Sequence, residues 1–251
     1  MTTMAGLEDI LRRDRLWVLG TVAASTLLAW AYLVAWAAGM DPGAAMETRP
    51  WTPGYAFMMF IMWAIMMVGM MLPSATPVML LHARVCRRRR GRIAHTGAFL
   101  FGYLVVWTIF SAGATALQWG LAELALLSPE MTATSPAFGA AVLLAAGGYQ
   151  FTPWKHACLA HCRSPIDFLA RRWRQGTTGA MRMGIEHGAY CVGCCWLLMA
   201  ILFVAGIMDL LWVAAITAFV LVEKAGPAGR HLTRIGAVGL IVAGIAMAVT
   251  A

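Results

Sequence analysis

Apolar residues gather into seven stretches, each nearly free of charge and separated from the next by a polar, basic or tight connection. They run over residues 16–39, 54–72, 97–122, 136–152, 188–207, 209–223 and 234–250. A run of about 20 apolar residues can cross roughly 30 Å of hydrocarbon as a helix, which satisfies its own backbone groups there. The expected fold is therefore all-α, a polytopic transmembrane bundle of about seven spans. The sixth stretch is the shortest, and it joins the fifth through a very tight connection at Met208 and Asp209. No repeat, heptad pattern or low-complexity segment stands out, so residues 1–251 read as a single integral membrane domain. The only sizeable connection covers 152–186. Within it, IDFLARRWRQ mixes apolar and basic residues at helical spacing, predicting a short helix on the inner leaflet. Phe168, Leu169 and Trp173 would then face lipid or protein; a solvated connector is the alternative.

Composition agrees with the pattern, since 61% of residues are hydrophobic and only 12% charged, unlike an ordinary soluble domain. The net charge of +8 and the run RRRR at 87–90 raise the question of nucleic acid. Their distribution answers it. Alternating the connections across seven spans puts eighteen of the nineteen Lys and Arg on one side, with Arg49 alone opposite. That asymmetry is what orientation in a membrane requires, and it places the N-terminus in the cytoplasm and the C-terminus outside. The expected location is the bacterial inner membrane, multi-pass, with the lipid bilayer as partner and no nucleic acid. The first apolar run is too long for a signal-peptide core, which predicts an uncleaved first span.

Charge and hydropathy leave the cysteines unexplained. All six fall at or within about two helical turns of the cytoplasmic side of this topology. Cys86 has no partner at ligand spacing and reads as incidental. Cys158 and Cys162 are four apart and share a face if the segment after Pro153 is helical. Cys191, Cys194 and Cys195 fall at i, i+3 and i+4 in the first turns of the fifth span and also share a face. A structural disulfide is not expected in the reducing cytoplasm. Cysteine can serve as a small apolar packing residue, but two thiol clusters at matching depth, with His156, His161 and His187 nearby, point to a soft-metal site. Thiolate selects Cu(I), zinc and iron–sulfur chemistry, and a buried thiolate needs the positive charge that a metal supplies.

The second span adds thioethers. MMFIMWAIMMVGMMLPSATP at 58–77 holds Met58, Met59, Met62, Met66, Met67, Met70 and Met71, and the steps 58, 62, 66 and 70 follow one helical face. Such a stripe packs a core without any metal. Beside thiols it favours Cu(I) over zinc, because thioethers suit Cu(I). Pro73 and Pro77 remove backbone hydrogen bonds near the inner end of this span and bend it where the thiols are expected.

MWAIMMVGMMLPSATP, GGYQFTPWKHACLAHCRSP and GIEHGAYCVGCCWLLM together resemble a bacterial family of predicted metal-binding integral membrane proteins. The resemblance rests on the Cys-x3-Cys-Arg and Cys-x2-Cys-Cys-Trp motifs with a Met-rich Pro-Ser-x-x-Pro span, and it covers about half the chain directly. It implies metal binding by Cys158, Cys162, Cys191, Cys194 and Cys195, names no reaction, and leaves His156 and His161 secondary. The adjacent cysteines also resemble the pair in mercuric-ion transporters.

Three classes follow. The first is a carrier of soft metal, with copper(I) expected and zinc or another soft metal as alternatives. It would act in transport, handling or delivery, and its partner would be a soluble metal chaperone or a metal-receiving membrane protein. The second is a thiol redox protein, in which Lys155 and Arg163 would stabilise thiolates at Cys158 and Cys162. The third is an inner-leaflet metalloenzyme using Glu186, His187 or Gln150. No hydrolase constellation or phosphate-cradling glycine loop supports an enzyme. The expected site comprises Cys191, Cys194 and Cys195 as primary thiolates and Cys158 and Cys162 as completing ligands. His187 is the first non-thiol candidate, and Met66, Met70 and Met71 form a relay.

Overall fold

A computed structural model describes residues 4–39, 50–89, 91–128, 131–225 and 229–250; Arg49 and Arg90 lie outside the described residues. Those described form α-helices and connections, with no β-strand. In order the helices are α1 (Met4–Ala38), α2 (Pro53–Arg88), α3 (Ile93–Glu123), α4 (Pro136–Tyr149), α5 (Pro153–Arg163), α6 (Pro165–Arg172), α7 (Gly176–Ala200), the single turn α8 (Leu202–Ala205), α9 (Leu210–Ala225) and α10 (Gly229–Val249).

One local device starts three of them. Thr52, Ser135 and Thr152 each precede a proline and accept a hydrogen bond from a backbone N–H inside the first turn, of Tyr55, Phe138 and Lys155 respectively. The hydroxyl satisfies an orphan donor, and the proline supplies the helical φ without needing an N–H of its own.

Five helical segments are long and apolar enough to cross a membrane: Arg12–Ala38, Pro53–Arg88, Ile93–Glu123, Gly176–Ala205 and His231–Val249. The fourth and sixth apolar stretches form shorter helices. The 14 residues of α4 rise only about 21 Å, and the 16 of α9 about 24 Å. Pro73 and Pro77 do not end the second helix, which continues to Arg88.

The 152–186 connection differs most from expectation. It is built of α5, α6 and the start of α7, and α5 packs along α7. The chain of α4 breaks at Gln150–Thr152, restarts at Pro153 and continues along α7, with Tyr149 donating to the Gly193 carbonyl and His161 stacking on Tyr190. Phe168 and Leu169 of α6 are buried in protein, and Trp173 stacks on His82 with ring centroids 5.3 Å apart. Of the two faces left open for this segment, protein is the one occupied.

The core lies among α2, α3 and α7, while α1 packs on α2 and α10 on α4. The closest approach is between α3 and α7. A side chain at Gly102 would strike the Met181 carbonyl, and one at Gly184 would strike that of Phe99. Glycine at both positions lets the two backbones touch, as small residues do between membrane helices. Beyond α8, Gly206 turns the chain at φ +106°. Asp209 then starts α9, its Oδ1 accepting from the backbone N–H of Leu211 at 3.0 Å and of Trp212 at 3.4 Å.

Contacts gather many of the basic residues at one end. Arg87 of α2 pairs with Asp14 of α1. Arg89 lies over the Trp173 ring at 5.3 Å, and Arg163 Nε donates to the Glu223 carbonyl at 2.8 Å.

Candidate metal centre

Helical spacing puts Cys191, Cys194 and Cys195 on one face of α7, and packing turns that face inward; all three are buried. The thiols of Cys194 and Cys195 donate to the same acceptor, the Cys191 carbonyl, at 3.1 and 3.0 Å. This satisfies them along their own helix and holds the three sulfurs together. From α5, Cys162 lies beside Cys191 and Cys194. Cys158 Sγ lies against Gly193, 2.8 Å from where a Cβ would stand there. The two expected clusters are therefore adjacent, and accessibility is graded between them. The α7 thiols are enclosed, whereas Cys158 and Cys162 are half-buried at the edge. All six cysteines are free thiols.

The methionine stripe reaches the same place. Met66, Met70 and Met71 are fully buried, and the Cys195 thiol points to Met71 Sδ at 4.0 Å. Toward the other end of α2, Met59 Sδ accepts from Gln118 Nε2 at 3.7 Å, and Gln118 Oε1 accepts from Trp63 Nε1 at 2.8 Å. Met71 thus joins the thiols, while Met66 and Met70 continue the stripe behind it.

Three polar groups at the thiols were not anticipated. Lys224 of α9 donates from Nζ to Cys191 Sγ at 2.9 Å and to Ser74 Oγ at 3.2 Å. The Tyr103 hydroxyl donates to the Met71 carbonyl at 3.0 Å and lies 3.1 Å from Cys191 Sγ. Ser74 Oγ donates to that same Met71 carbonyl at 2.8 Å. A buried ammonium thus faces sulfur, with Cys162, Cys191, Cys194 and Cys195 all within its electrostatic reach. The sequence did carry a signal, Glu223 and Lys224 side by side at the end of an apolar helix, but the charge rule for orientation had already accounted for the lysine.

Lys155 and Arg163 do not serve the thiols. Lys155 Nζ pairs with Glu223 at 2.8 Å, both side chains fully buried, and Arg163 is bound to the Glu223 carbonyl. The cation beside the sulfurs is Lys224 instead, because α9 packs where the expected helper residues would have pointed. Glu186 is likewise committed, to Arg174 at 3.3 Å and Arg182 at 3.5 Å. His161 stacks on Tyr190 at 4.0 Å.

His187, one turn before Cys191, is buried among Phe99, Tyr103 and Phe168, and its Nδ1 has no partner. Gln150, buried at the α4–α5 break, leaves both amide atoms unpartnered. Buried polar atoms without partners are uncommon and mark these two side chains for a role beyond packing. No three His, Cys, Asp or Glu side chains among the described residues stand ready-arranged around a single point for an ion. The thiols instead satisfy one another, a carbonyl, a thioether and an ammonium.

The PpoB2 family, described as a copper chaperone, matches residues 60–247 of this chain. The chain belongs to that family. The match to PpoB2 takes in α3 to α9 whole, nearly all of α2 and most of α10, and so every thiol, the methionines from Met62 onward and Lys224. It narrows the metal from the soft metals in general to copper. Neither a curated protein nor a solved structure matches the chain.

Proposed function

We propose that this protein carries Cu(I) in the bacterial inner membrane, held by Cys191, Cys194 and Cys195 of α7 and Cys162 of α5, with Cys158 at the accessible edge. The observation that carries the reading is the contact between Cys195 Sγ and Met71 Sδ at 4.0 Å. It joins the thiol cluster of one helix to the thioether stripe of another, in a chain of a copper-chaperone family. Thiolates suit Cu(I) and zinc alike, and it is the thioether of Met71 beside them that favours Cu(I). Lys224 supports the fit, since its ammonium stands at Cys191 where a bound cation would place the same charge. His187 is the non-thiol candidate ligand.

The grading of access gives the cluster a direction of use. Copper is exchanged at the half-buried Cys158 and Cys162 and retained at the enclosed α7 thiols, with Met66, Met70 and Met71 extending the path along α2. Seven crossings follow if α9 spans and α4 spans together with its continuation in α5. The N-terminus then lies in the cytoplasm, and a soluble chaperone or a receiving membrane protein meets the chain at the basic end.

The test is copper analysis of protein purified without oxygen. The wild type should hold copper stoichiometrically. Cys194→Ser/Cys195→Ser should lose more than about 100-fold in affinity, beyond the 10–100-fold typical of changes in outer-shell partners. Cys158→Ser/Cys162→Ser should weaken binding and slow exchange; full affinity and unchanged exchange there would remove α5 from the site. A metal-free wild type with a cycling disulfide would replace the carrier by a redox protein. For orientation, an impermeant thiol reagent should label the metal-free protein in inside-out vesicles, and labelling confined to right-side-out cells would invert the topology.

A further inference from the structure

At the basic end of the bundle, α1 and α2 enclose an open pocket of about 500 Å³ lined by Arg12, Arg15, Leu81, Arg84, Val85 and Arg88. Helical spacing explains the convergence. Arg12 and Arg15 are three apart on α1, Arg84 and Arg88 four apart on α2, so each pair shares a face. The adjoining Asp14–Arg87 ion pair clamps the two helices and commits Asp14 to a different arginine. Among the side chains described, which on α1 begin at Arg12, none ion-pairs with the four pocket arginines.

Four guanidiniums around one cleft repel each other, and an anion between them relieves the repulsion. Their planar forks match phosphate oxygens, which they grip in pairs of parallel hydrogen bonds. The volume lies within the roughly 300–1,000 Å³ of small-molecule sites. Leu81 and Val85 add apolar lining. Leu16 and Trp17, next to Arg15, are 61% and 65% exposed. An exposed tryptophan beside arginines is the arrangement found at headgroup level in membranes. A phosphate bearing acyl chains meets all three features, while a free phosphate uses only the arginines.

We propose that this pocket binds a phosphate group supplied by an anionic phospholipid of the membrane surface at the basic end. The proposal rests on the reading that the chain spans a membrane, and it is independent of the copper site. Its occupant bridges α1 and α2 outside the thiol cluster and neutralises charge that Asp14 leaves uncompensated.

The full chain in detergent is titrated with phosphatidylglycerol, phosphatidylcholine and inorganic phosphate, and bound species are resolved by native mass spectrometry. Saturable retention of phosphatidylglycerol over phosphatidylcholine is expected. Arg84→Gln/Arg88→Gln should weaken it roughly 30-fold, about fivefold for each basic residue at an anionic surface. Arg92→Gln/Arg171→Gln removes the same charge elsewhere and should leave retention unchanged. Equal loss in both variants would overturn the pocket in favour of net charge. Binding of inorganic phosphate as tight as that of the lipid would overturn the lipid as the source. All four substituted arginines are exposed, and thermal unfolding confirms that the variants fold. Copper content measured on the same samples should stay unchanged in Arg84→Gln/Arg88→Gln, so failure of the lipid site and failure of the copper site are read separately.

Discussion

Glu223 and Lys224 are neighbours on α9 and belong to two different buried nodes. In the first, the Glu223 carboxylate takes Lys155 Nζ at 2.8 Å and the Thr233 hydroxyl at 2.7 Å, tying α5, α9 and α10 together with hard, opposite charges. In the second, Lys224 faces the Cys191 sulfur at 2.9 Å with no carboxylate against it. The first node is closed, because removing either charge leaves the other stranded. The second can lose its cation without stranding the anion, since a thiolate left alone can take up a proton. A closed node and an open one thus stand one residue apart, distinguished by whether the anion is a carboxylate or a thiol.

The largest effect should come from breaking the closed node. Lys155→Met leaves the Glu223 carboxylate buried and unpaired, and loss of one partner from a buried pair costs about 3–5 kcal/mol. Thermal unfolding in detergent should show a large drop in Tm; a change no greater than that of a surface lysine would mean that the node is not closed.

Lys224→Met should cost much less, about 1 kcal/mol, because the protonated Cys191 that remains is neutral and loses only a hydrogen bond. The same melting experiment, run on both lysine variants, decides the comparison. Equal losses would make the Lys224 node a second closed one and remove the distinction.

The thioethers come last, because their effect should fall on copper handling and leave the fold in place. Met66→Leu/Met70→Leu/Met71→Leu conserves volume and apolarity, and such swaps usually cost below about 1.5 kcal/mol each. The variant should fold and keep copper at the thiols, while transfer to an acceptor, or growth under copper limitation, declines. Unchanged copper handling in the folded variant would reduce the stripe to core packing.

What the sequence made legible was whatever depends on local spacing. Cysteines three or four apart share a helix face wherever that helix packs, so both clusters could be drawn before their surroundings were known. The methionine face of α2 could be drawn for the same reason. The partners of those faces depend on which helix lies opposite, and spacing carries no such information. Lys155 stands three residues before Cys158 yet reaches Glu223, because α9 and α10 bring a carboxylate and a hydroxyl to that side of α5. Lys224, far away in sequence, reaches Cys191 instead. The 152–186 segment shows the same limit: the spacing of IDFLARRWRQ drew the helix and its apolar face, and packing decided between lipid and protein for what that face meets. Phe168 and Leu169 lie inward while Arg171 and Arg172 lie outward, as that spacing requires.

The glycine contact between α3 and α7 decides which wall of the thiol cluster can yield. Where two backbones already touch at Gly102 and Gly184, neither helix can advance on the other, and little relative motion remains to them. Tyr103 on α3 and the thiols of α7 therefore form a fixed jaw. The opposite jaw is α5, joined to α4 only through the non-helical Gln150–Thr152 segment and carrying Cys158 and Cys162 at its surface. Lys155 and Arg163 hold α5 to Glu223 of α9, so a displacement of α5 that carried two sulfurs away from three would also have to open that closed node.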